Sequence, residues 1–68
     1  MNVESLAELL HETAQRHDAY EKVAPTHDWW HWYAPYLHAR QGGSAPDEAA
    51  EAADAYMAEV KHVVVAPG

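Results

Sequence analysis

Ser44-Ala45-Pro46-Asp47-Glu48-Ala49-Ala50-Glu51-Ala52-Ala53-Asp54-Ala55-Tyr56-Met57-Ala58-Glu59-Val60 is the stretch whose pattern decides the fold. A hydroxyl residue, an early proline and two acids make a helix start. Proline lacks a donor that the first turn does not need, and acids face the positive end of the helix dipole. At ~100° per residue, Ala49, Ala50, Ala53, Tyr56, Met57, Val60, Val63 and Val64 share one face about 140° wide. Asp47, Glu48, Glu51, Asp54, Glu59, Lys61 and His62 fill the other. The spacing predicts an amphipathic helix over 46–64, with small residues that let another helix approach closely.

Upstream, Gln41-Gly42-Gly43 reads as a helix end, where glycine takes the left-handed turn that closes the last carbonyls. It terminates a segment over 27–41 that Thr26 or Asp28 can cap. Pro35 falls inside this segment, and the expectation is a helix kinked or split there. The first segment, 3–24, carries Val3, Leu6, Leu9, Leu10, Thr13, Ala14, His17 and Tyr20 on one stripe. Asn2 or Ser5 can cap it, and Pro25 disfavours helix at Ala24. Glu12–Arg16 and Asp18–Lys22 have the spacing of stabilising pairs along one helix. The two short connections imply antiparallel neighbours. The expected fold is all-α: one domain, 1–68, forming a compact three-helix bundle with the aromatic segment between two longer helices. Leu10 is expected in the core, where truncation to alanine costs about 2–5 kcal/mol.

At 68 residues the chain is one domain, and 14 of its apolar residues are alanine, so its core is thin. A core of this size seldom supplies more than about 3–5 kcal/mol, which favours self-association or a bound partner as additional support. Without cysteine there is no disulfide framework and no thiolate metal centre. No apolar run approaches the ~20 residues of a membrane span, and Met1–Ser5 does not open a secretory signal. The expected location is the cytoplasm. A net charge of −7 gives no basic footprint for nucleic acid. Neither a membrane nor a nucleic acid is an expected partner. No serine–histidine–acid order, phosphate-cradling glycine loop or paired buried acids can be argued, and neither an enzymatic activity nor a cofactor is expected.

Five of the seven aromatic residues, Trp29, Trp30, Trp32, Tyr33 and Tyr36, lie within eight positions. They point in several directions around one helix, and a small bundle buries only a stripe. Part of the block is therefore expected at an interface, where large rings with a polar handle are favoured anchors. The stretch His27-Asp28-Trp29-Trp30-His31-Trp32-Tyr33-Ala34-Pro35-Tyr36-Leu37, followed by Ala39-Arg40 and the Pro-acidic helix start, resembles small bacterial helical proteins with a DWWDWYA-type motif. Such proteins are associated with the glyoxalase/bleomycin-resistance (vicinal oxygen chelate) family. The resemblance implies a helical segment that accompanies a domain of that family, whose own module is built from strands. His31 stands here where the motif has Asp, and no metal or catalytic residue of that family carries over.

Two features suggest other chemistry. His27 and His31 have the i,i+4 spacing with which two imidazoles chelate a divalent ion. The ordinary reading is an exposed polar face, for which added zinc leaves stability nearly unchanged. His17 lies within an apolar stripe, either as a hydrogen-bonded core residue or as a buried base or pH switch. The leading expectation is a non-enzymatic module that associates with itself or with a protein partner through the aromatic block. The alternatives are a precursor whose apolar segment 62–68 is acted on by a modifying enzyme, and a His-dependent metal-binding protein.

Overall fold

The computed structural model describes residues 2–63. It contains three helices, α1 (Val3–Glu21), α2 (Trp29–Gln41) and α3 (Pro46–Glu59), and no strand among the described residues. The three-helix, all-α architecture is the expected one, with shorter helices than the sequence suggests. Asn2 caps α1: its side chain accepts from Ser5 N–H at 2.8 Å. α1 stops at Glu21, and residues 22–28 form the connection. Asp28 is the cap position of α2, which therefore starts two residues later than expected. α2 runs unbroken through Pro35, so the helix is not split; the missing N–H leaves the His31 carbonyl without its intrahelical donor. Ala45, rather than Ser44, precedes α3, and Glu48 reaches back to accept from the Ala45 N–H at 3.2 Å.

α3 also ends early. His62 adopts a left-handed backbone (φ 58°), and Val63 N–H donates to the Met57 carbonyl at 2.9 Å. This turn folds Val63 back onto the core. Val64, expected to complete the helix, and most of the apolar segment 62–68 lie outside the described residues.

The bundle is organised around α2, which packs closely on α3 and also carries α1. Ala49, Ala53 and Met57 are fully buried, as are Trp32 and Tyr36 facing them. The alanines allow the close approach that the two large rings fill. α1 docks mainly against α2 and little against α3. A helix with one principal neighbour buries a strip narrower than a 140° stripe. α1 accordingly buries Leu9, Thr13, His17 and Tyr20, while Val3, Leu6 and Leu10 face solvent. Leu10, expected in the core, is 42 % exposed; Leu9, at 7 %, takes its place. Thr13 satisfies its buried hydroxyl by donating to the Leu9 carbonyl at 2.6 Å. Where α1 and α3 diverge they leave an open trough of about 600 Å³, with Ala19 and Val23 on one wall and Ala50 and Ala58 on the other.

Two ion pairs, Glu12–Arg40 and Arg16–Asp47, join different helices. The expected Glu12–Arg16 pair does not form. Glu12 instead accepts two hydrogen bonds from Arg40 of α2, at 2.8 and 3.0 Å, and one from the Tyr36 hydroxyl at 2.5 Å. Arg16 reaches Asp47 of α3 at 2.8 Å. Arg40 holds the Glu12 carboxyl below the usual carboxylate range. Burial and the bond to Glu12 push the Tyr36 hydroxyl up to about 12.

Candidate functional site

The aromatic block of α2 divides into two sides. Trp32 and Tyr36, one turn apart, stack at 5.1 Å with 18° between their planes, both fully buried. Each finds a partner for its polar atom: Trp32 Nε1–H donates to Asp54 at 3.0 Å, and the Tyr36 hydroxyl donates to Glu12. On the other side Trp29 and Trp30 are 54 % and 50 % exposed. Trp29 meets Trp30 edge-on at 5.5 Å and Tyr33 edge-on at 4.9 Å. Tyr33 is partly buried against the core, and burial raises its hydroxyl above the ordinary tyrosine range. Of the five rings singled out in the sequence, then, Trp32 and Tyr36 hold the bundle together. Trp29, Trp30 and the outer part of Tyr33 form a continuous aromatic patch at the start of α2.

The patch is held rather than loose. Each ring packs on a neighbour in the edge-on geometry that aromatic quadrupoles favour, worth about 0.5–1.5 kcal/mol per pair. Tyr33 also packs against His17 at 5.3 Å, which ties the patch to α1. Surface rings pre-set in this way lose little conformational freedom on docking. The surrounding charge is acidic: Asp18 and Glu21 both act on the Tyr33 hydroxyl.

His27 and His31 take different partners. α2 begins only at Trp29, so the interval from His27 to His31 is not a helical turn. His31 Nδ1 lies 3.9 Å from the Asp28 carboxylate, a loose pair at the surface. His27 turns the other way, its Nε2 standing 2.9 Å from Nε2 of His17. Its Nδ1 is 2.8 Å from the Pro25 carbonyl. A carbonyl only accepts, so His27 donates from Nδ1 and, when neutral, accepts at Nε2 from the N–H of His17. His17 is 5 % exposed, its ring set among Tyr20, Trp32 and Tyr33, and burial lowers its pKa below the ordinary 6.5. The sequence marked His17 as a core residue needing a partner. It gave no sign that the partner is His27, because the two are joined only by an irregular connection.

The Tyr20 hydroxyl is buried and has no hydrogen-bond partner among the described residues. Burial and the nearby Asp54 charge raise its pKa above 10. No helix of the described residues is long and apolar enough to cross a membrane. Compared with protein-family models, with curated proteins and with solved structures, the chain matches none of them.

Proposed function

We propose that this chain is a cytoplasmic, non-enzymatic helical interaction module that associates with itself or with a protein partner through Trp29, Trp30 and Tyr33. One observation carries the reading: two neighbouring indoles, packed on each other and on Tyr33, stand half in solvent at one end of the bundle. Large exposed rings gathered into one patch favour an apolar partner surface, whereas single exposed apolar residues are commonplace. The acidic helix faces stay wet and bias the choice of a protein partner toward basic surfaces. Self-pairing is the form that needs no second component, and a thin core gains from it.

Sedimentation equilibrium of the full chain and of a Trp29→Ala, Trp30→Ala double variant tests self-pairing. The expected result is a concentration-dependent dimer that tightens as salt rises, because two copies of net charge −7 repel and salt screens that repulsion. The double variant is expected to stay monomeric with an unchanged helical spectrum. A wild-type chain that remains monomeric across the concentration range overturns self-pairing. A dimer that persists in the variant overturns the assignment of the patch.

A further inference from the structure

The contact between α1 and the connection before α2 has features that neither packing nor the aromatic patch requires. Two imidazole nitrogens, Nε2 of His17 and Nε2 of His27, face each other at 2.9 Å. With both rings neutral, one proton lies between two nitrogens. Nitrogens bound to one tetrahedral zinc ion at about 2.0–2.1 Å stand about 3.3 Å apart. To hold one ion, the nitrogens part by a few tenths of an ångström and the two rings turn so that both lone pairs meet at a point off the N–N line. His27 already has the setting of a metal-bound histidine: its Nδ1–H is spent on the Pro25 carbonyl at 2.8 Å, which fixes the tautomer and turns the Nε2 lone pair inward.

The surroundings fit a cation. A ring nitrogen of His17 and carboxylate oxygens of Asp18 and Glu21 all lie within 4.8 Å of one another, a group that does not include His27. Glu21 is exposed at the end of α1, one turn beyond His17, and its side chain would turn toward His27 to meet an ion at the pair. The rings of Tyr20, Trp32 and Tyr33 close the other sides of His17.

We propose that His17 and His27 bind one divalent transition-metal ion of the zinc type between their Nε2 atoms, with Glu21 supplying a carboxylate oxygen. Imidazole nitrogen suits zinc and its neighbours, while magnesium and calcium prefer all-oxygen sites. When the ion replaces the bridging proton, neutral His17 moves its proton from Nε2 to Nδ1, and the pair releases none. The ion clips residues 25–28 to α1, immediately before Trp29. His27, one of the two histidines picked out by sequence spacing, is thus retained, but its partner is His17 and not His31.

The test is a titration of the full chain at pH 7.5 with zinc, read by calorimetry and melting temperature. Cobalt(II) serves as a spectroscopic probe, since a four-coordinate site gives strong visible absorption. One ion per chain is expected, with a raised melting temperature. His27→Ala changes a residue outside the helices and is expected to keep the fold, checked by circular dichroism, while weakening zinc at least about tenfold. Glu21→Gln is expected to weaken zinc by about tenfold, and His31→Ala to leave it unchanged. No zinc-dependent change in melting temperature overturns the proposal, as does zinc affinity that survives in folded His27→Ala. Equal stabilisation by magnesium also overturns it, since that marks general charge screening. Unchanged zinc affinity in Glu21→Gln removes Glu21 from the site.

Discussion

Trp32 and Tyr36 stack inside the bundle with both polar atoms bonded, while Trp29 and Trp30, on the same helix, stand half in solvent with no hydrogen bond among the described residues. Residue type does not separate the two sides. Neighbours do: α3 brings Ala49, Ala53 and Met57 against one side and Asp54 to the indole N–H. α1 brings Glu12 to the tyrosine hydroxyl, and on the other side packs the His17 ring against Tyr33. An aromatic ring enters a small core when facing residues are small enough to admit it and a polar partner awaits its donor. The rings that lack both stay outside, ready for an external surface.

The largest expected effect tests this division directly. Trp32→Ala should cost about 3–5 kcal/mol, comparable to the stability such a small domain holds, and leave the chain largely unfolded in urea titrations. Trp30→Ala should change stability by no more than about 0.5 kcal/mol. Similar losses in the two variants would erase the distinction between inner and outer rings.

A second contrast lies on α1. Leu9→Ala should cost about 2–3 kcal/mol, whereas Leu10→Ala, at a site 42 % exposed, should cost less than about 1 kcal/mol. Both changes are read from the urea midpoint, and the reverse order would return Leu10 to the core.

Acid should separate the histidine contact from the carboxylate clasp. Burial lowers His17 in the fold, so the unfolded chain takes up that proton more readily. This contribution is complete above the unfolded value of 6.5 and is lost as pH falls through the lower folded value. Glu12 is lowered chiefly by its bond to Arg40, so its contribution is complete above 4.5 and is lost as pH falls through its own folded value. Stability is expected to decline toward acid in two stages. Glu12→Gln should abolish the lower stage and keep the upper, as read from urea midpoints across pH. A midpoint that rises as pH falls from 6.5 would contradict the His17 assignment, and one that rises as pH falls from 4.5 the Glu12 assignment.

The smallest effect is a gain. The buried Tyr20 hydroxyl lacks a partner, so Tyr20→Phe removes a desolvated polar group and should stabilise the chain by about 1 kcal/mol. A loss of that size in thermal melts would show that the hydroxyl is bonded in solution, with Asp54 the nearby acceptor.

The face of α3 was legible because alanine and acid alternate at helical spacing and one side has nowhere to go but inward: Ala49, Ala53 and Met57 are at its centre. The stripe of α1 was legible in direction but not in width. Spacing places Leu6, Leu9 and Leu10 close together, and only the docking of α1 on a single main neighbour selects Leu9. The Glu12–Arg16 spacing was favourable, yet Arg40 offers Glu12 a two-pronged bond across helices that a local pair cannot match. His17 and His27 are ten residues apart across a non-helical turn, a distance that no periodicity encodes. Which aromatic rings stay outside depends in the same way on what α1 and α3 cover.

Acrylamide quenching of tryptophan fluorescence, followed as the protein is concentrated, tests the proposed aromatic interface most directly. In dilute solution Trp29 and Trp30 should be quenched freely and Trp32 shielded, and raising the concentration should progressively protect the exposed pair. Two indoles that stay equally open to quencher at every concentration, or three that are shielded even in dilute solution, would contradict an aromatic patch built for self-association.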